Sequence, residues 1–127
     1  MNIIIAGGRD FLNRDMFDLN VGKILQELYT PLGLTIISGG ALGADSMAID
    51  YAFDNSHDYL VFDAEWDKYG LSAGYKRNQK MADVSTFLIA FWDGISDGTG
   101  NMIEIADEMD IETVVVRYDQ YNKHQQR

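Results

Sequence analysis

Apolar residues along the chain fall into five short runs, Ile3–Ala6, Leu34–Ile37, Tyr59–Phe62, Thr86–Phe91 and Thr113–Val116. Most are rich in β-branched and aromatic residues and continuous rather than alternating, which is the pattern of strands buried on both faces. The segments between them carry helical spacing. Met16, Leu19, Ile24, Leu25 and Leu28 form one stripe, closed by Pro31-Leu32-Gly33. Ala44, Met47, Ala48, Tyr51 and Ala52 form a second. A third helix is expected over Leu71 to Ala82, with Gly74 as its weak spot, and Met102, Ile105, Ala106 and Met109 mark a fourth. A βαβαβαβαβ alternation predicts an α/β fold, doubly wound in three layers around a central, mainly parallel sheet of about five strands. No repeat, linker or low-complexity stretch interrupts it. One domain is expected over residues 1–118, followed by a polar tail over 119–127.

Composition narrows the function classes. The chain has 127 residues, no Cys and a formal charge of −10. Its length suits one domain with a core that needs no disulfide or metal staple. The lack of Cys excludes thiol catalysis and Cys-zinc sites and fits a reducing compartment. The acid excess argues against nucleic acid and a polybasic membrane surface, since phosphate neutralisation needs Lys and Arg. No apolar run approaches a bilayer span, and the start of the chain has no signal-peptide pattern, so a cytoplasmic location is expected.

Ten of the 12 glycines lie between a strand end and the body of the next helix. In open α/β sheets that edge builds the ligand site, and a helix start after a Gly-rich loop attracts phosphate. The loop Gly7-Gly8-Arg9-Asp10 follows the first strand, where Arg9 pairs either with a ligand phosphate or carboxylate or with a local acid such as Asp10. The second loop, Ser38-Gly39-Gly40-Ala41-Leu42-Gly43-Ala44-Asp45, has the composition of a phosphate cradle. Asp45 either caps the following helix or takes a sugar hydroxyl, capping being slightly favoured. Lys68, Lys76, Arg77 and Lys80 make a local basic patch or a solvated helix face. Arg77-Asn78 in mid-helix points to a ligand contact, and Trp66 stacks on a base or plugs the helix–sheet seam. A further loop carries Asp93, Gly94, Asp97, Gly98 and Thr99, with Gly98-Thr99-Gly100 opening the fourth helix.

Several motifs are missing. There is no P-loop and no G-x-G-x-x-G after the first strand, and no cofactor or metal is expected. His57 and His124 stand near a turn and in the tail, and both are expected at the surface.

Four stretches, IAGGRDF (Ile5–Phe11), ISGGALGADSMAIDYA (Ile37–Ala52), AEWDKYGLSAGYKRNQKMAD (Ala64–Asp83) and IAFWDGISDGTGNMIEIA (Ile89–Ala106), together resemble the SLOG superfamily (Smf/DprA–LOG Rossmann-like), YspA-like branch. They come in the family's order and span most of the chain. The resemblance implies a Rossmann-like domain that binds nucleotides or nucleotide-derived ligands. Relatives include phosphoribohydrolases, sensors of ADP-ribose-type signals and a single-strand DNA-binding competence protein. By position it implies that Gly7, Gly8 and Arg9 border the ligand and that Gly39, Gly40, Gly43 and Asp45 hold phosphate or ribose. It further implies that Arg77 and Asn78 reach in from the third helix and that Gly98 and Thr99 bind phosphate. Where the phosphoribohydrolases place a glutamate three residues after the Gly-Thr pair, this chain has Met102. Glu104 lies about 200° further round the helix and cannot take the same role.

The favoured expectation is therefore a sensor or sequestering module for a nucleoside monophosphate or ADP-ribose-like ligand, with homo-oligomer formation implied by the relatives. The alternative is N-glycosidic hydrolysis, with Asp93, Asp97 or Glu65 supplying the carboxylate. Single-strand DNA binding comes last, because of the net charge.

Overall fold

The computed structural model describes residues 1–28 and 30–119. Five strands, β1 (Asn2–Gly7), β2 (Thr35–Ser38), β3 (Asp58–Val61), β4 (Phe87–Trp92) and β5 (Glu112–Arg117), pair in parallel in the order β3-β2-β1-β4-β5. The helices are α1 (Arg14–Glu27), α2 (Ala44–Asp54), α3 (Trp66–Tyr69), α4 (Ala73–Asp83) and α5 (Asp97–Glu108). The fold is thus the expected Rossmann-like α/β sandwich, with a sheet that is parallel throughout.

Each face of the sheet has its own core. Phe17 and Val21 of α1 and Ala44, Ala48 and Ala52 of α2 pack against Ile3, Ile5, Ile36 and Ile89. Met81 and Ala82 of α4 and Met102, Ile105 and Ala106 of α5 pack against Ile4, Ile37, Leu88 and Ala90. Alternate residues of β1 and β4 therefore serve opposite faces, which is why these strands read as continuous apolar runs.

Two expectations need correction. The run Tyr59–Phe62 suggested a strand buried on both faces, but β3 is an edge strand whose four residues are all exposed. Apolar content alone does not place a strand in the middle of a sheet. The helix expected over Leu71 to Ala82 is α4, starting two residues later at Ala73 and ending at Asp83, with a 3-10 turn over Gly70–Ser72 and the single-turn α3 before it. Gly74 lies in the first turn of α4, where an added Cβ would stand in ordinary contact with Trp66 Cη2, at 3.4 Å. His57 is half-buried, its ring stacked 6.2 Å from that of Tyr51. His124 and the tail from Gln120 lie outside the described residues.

An aromatic stack fixes the first loop. Phe11 lies 4.9 Å from Phe91 and 4.8 Å from Tyr118, ring centre to ring centre, and Phe17 lies 5.0 Å from Phe91. The Tyr118 hydroxyl donates to Asp10 Oδ1 at 3.0 Å, so the chain leaving β5 is latched to the loop leaving β1. Burial, then that bond, pushes the Tyr118 hydroxyl pKa up.

Candidate ligand-binding site

Parallel strands end at one edge, and this sheet reverses its strand order between β1 and β4. The connections leaving those strands diverge to opposite faces and leave a crevice between them. A cleft of about 520 Å³ opens there. Gly7, Gly8, Arg9 and Asp10 form its β1 side, and Asp93, Ser96, Gly98 and Thr99 its β4 side. Trp66, Leu71 and Tyr75 form an apolar wall, with Met81 and Met102 deeper in.

Two long helices begin near this cleft, and their first turns differ. At α2 the N-cap is Gly43, at φ +75°, with no side-chain cap. A Cβ there would overlap the carbonyls of Gly8 and Arg9, so only glycine fits. The Ala44 N–H donates to Gly8 O at 3.2 Å. Asp45 is not the cap that was favoured: it lies inside the first turn, 6% exposed. Its Oδ2 accepts from the Ala41 N–H at 3.2 Å, and its carboxylate also accepts from the Gly7 N–H. The amides expected to cradle a phosphate therefore already hold an internal carboxylate. Burial pushes the Asp45 pKa up; the Ala41 N–H, the Arg77 charge, the Gly7 N–H and the Arg9 charge oppose that rise.

Ser38 supports the same turn, donating to Asp45 O at 2.9 Å and accepting from the Gly40 N–H at 3.2 Å. Of the second loop only Ala41 and Asp45 line the cleft, while Gly39 and Gly40 line a neighbouring hollow.

The start of α5 is open. Its N-cap Ser96 makes no side-chain cap, and Gly98 has no atom within 4 Å of where a Cβ would stand. Its approach is rigid: Asp93 Oδ1 accepts from the N–H groups of Ile95 at 2.9 Å and Ser96 at 2.8 Å. Trp92 Nε1 donates to Ser96 O at 3.0 Å.

Arg77 and Asn78 join these regions. Arg77 Nη1 donates to Gly39 O at 2.6 Å and Nε to Asn78 Oδ1 at 3.1 Å. Asn78 Nδ2 donates to Gly98 O at 3.2 Å and Asn101 Oδ1 at 3.0 Å, tying α4 to α5. Their mid-helix polarity has a structural purpose as well as a place in the cleft lining. Burial lowers the Arg77 pKa, with the Asp45 charge countering it.

The remaining candidates separate. Of the three proposed catalytic acids, only Asp93 lines the cleft. Asp97 is exposed at the helix start, outside the lining. Glu65 pairs with Lys80 at 3.7 Å and lines a different hollow. Gly94 is also outside the lining, facing the Arg117 guanidinium. The basic patch stays together but lies largely off the cleft, with Lys76, Arg77 and Lys80 lining one separate hollow. Lys68 and Lys76 each place their ammonium 5.0 Å from the Tyr69 ring centre, and of the four cations only Arg77 lines the cleft. Sequence reading missed Leu71, Tyr75 and Met81 as cleft walls, because apolar residues on a helix carry no mark of which void they border. Among the described residues there is no group of three or more metal-ligating side chains and no helix long and apolar enough to cross a membrane.

The family model of the YspA, cpYpsA-related SLOG family matches residues 1–69. That range includes the loops after β1 and β2 and ends before Arg77 and Gly98. No curated protein matches the chain. The chain belongs to the YspA, cpYpsA-related SLOG family.

Proposed function

We propose that this SLOG-family chain binds a small phosphorylated nucleotide-type ligand at the sheet edge, as a sensor or sequestering module. The observation that carries this reading is the open start of α5 inside the cleft at the switch point, facing the Gly7–Arg9 loop. A phosphate there accepts from the amides of Gly98 and Thr99 and meets the positive end of the helix dipole. Arg9, exposed on the opposite rim, adds a charge-assisted contact. The base lies against Trp66, Leu71 and Tyr75, where stacking is favourable for any aromatic ring.

Binding is preferred over hydrolysis because of how the acids are placed. Asp45 is desolvated and engaged by amides, and one oxygen of Asp93 braces its own loop. A carboxylate that orients water needs a free lone pair beside the sugar. The net charge of −10 disfavours a polyanion without weakening a short-range pocket for one small anion.

Calorimetric titration with AMP tests the reading, with chromatography of the mixture afterwards. Saturable binding with AMP recovered intact is the expected result. Release of adenine by the wild type, lost in Asp93→Asn, would establish the hydrolytic reading in its place. Sub-micromolar single-strand DNA binding with a steep salt slope would establish the third.

A further inference from the structure

Arg9 and Asp10 stand side by side at the tip of the loop leaving β1. The Phe11 N–H donates to Gly8 O at 3.2 Å and closes a turn with these two residues at its corners. Both are exposed, and both line the cleft. Opposite charges so placed attract each other, and an Asp10 carboxylate on the Arg9 guanidinium would cancel the charge offered to a phosphate. Yet Arg9 forms no ion pair among the described residues. We propose, resting on the reading above, that Tyr118 is a positioning residue of the site: its hydroxyl holds the Asp10 carboxylate off Arg9 and so leaves the guanidinium to the ligand.

The hydroxyl is built into its place. Tyr118 follows β5, and its N–H donates to Trp92 O at 3.1 Å. The residue is 2% exposed, with its ring against that of Phe11. The ring is therefore fixed, and its hydroxyl reaches the β1 loop to donate to Asp10 Oδ1 at 3.0 Å. Gly8 admits it, because an added Cβ there would overlap the Tyr118 oxygen. Packing alone needs no hydroxyl: phenylalanine offers the same ring without a polar group to desolvate. Burial and the bond to Asp10 keep the hydroxyl protonated, and hence a donor. The Arg9 charge meanwhile acts on Asp45 and Arg77, both in the cleft lining. Tyr118 is not in that lining and acts through Asp10.

Calorimetry of the full chain with AMP tests this, with urea midpoints to show that each variant is folded. Tyr118→Phe keeps the ring in its stack and is expected to lower AMP affinity about fivefold, because Asp10 turns to Arg9. In an Asp10→Asn background no carboxylate competes, and the same substitution changes affinity by less than about twofold. A tyrosine that merely braces the loop gives equal losses in both backgrounds, and that result overturns the inference while the nucleotide reading stands. An AMP affinity of Tyr118→Phe within about twofold of the wild type does the same. Failure of the wild type to bind AMP overturns both.

Discussion

The starts of α2 and α5 both follow glycine-rich loops at the carboxyl edge of one parallel sheet, and they are used differently. At α2 the protein supplies its own anion: Asp45 takes the Ala41 and Gly7 amides, the Gly8 carbonyl takes the Ala44 amide, and Arg77 is anchored on the Gly39 carbonyl. At α5 no side chain caps the first turn, and Gly98 faces empty space within the cleft. Glycine at the first site makes room for protein atoms, and glycine at the second leaves open space. On the proposed function, similar local sequence serves scaffold in one place and recognition in the other.

Substitutions that probe each start separately can break this contrast. Gly43→Ala is expected to have the largest effect, about 3–5 kcal/mol of lost stability, because it combines a left-handed φ with overlap against two carbonyls. Urea denaturation reads it directly. Normal stability with lost AMP binding would reverse the roles of the two helices. Asp45→Ala follows, at about 1–3 kcal/mol, since it leaves part-buried amides without their acceptor. Gly98→Ala has the opposite profile. Its methyl meets no protein atom and alanine favours the helix, so stability changes by under about 1 kcal/mol. Its AMP affinity falls about tenfold by calorimetry, because the methyl stands where the phosphate approaches. An unchanged affinity would move the anion away from α5.

Asp45→Asn is the mildest and concerns pH. The folded protein holds the Asp45 proton more tightly than the unfolded chain does. Wild-type stability therefore falls, relative to the variant, as pH rises from about 4 through the folded pKa. Urea midpoints of the two proteins between about pH 4 and pH 7 check the sign. A difference that grows in favour of the wild type would mean that the amides and Arg77 outweigh burial.

Much of the fold was legible in the chain, and the misreadings share a cause. The runs Ile3–Ala6 and Thr86–Phe91 announced buried parallel strands because both of their faces meet helices. Tyr59–Phe62 carries the same signal but lies at the sheet edge, a position that strand order decides. Gly98-Thr99 read correctly as a helix start, and both residues line the cleft. Asp45 read as a cap because capping depends on local residue order, whereas its actual partners include the amide of Gly7, at the end of β1. Glu65 and Asp97 were candidates because both were expected at the carboxyl edge of the sheet, but neither lines the cleft.

The sequence by itself determined the alternation of strands and helices, the concentration of glycine at one edge and membership of a recognisable family, because periodicity, turn chemistry and local motifs are written within a few residues of each other. Only the tertiary structure decided which Gly-rich loop is filled and which is open. That choice depends on whether a buried carboxylate from one element reaches the amides of another, and no spacing along the chain encodes such a distance.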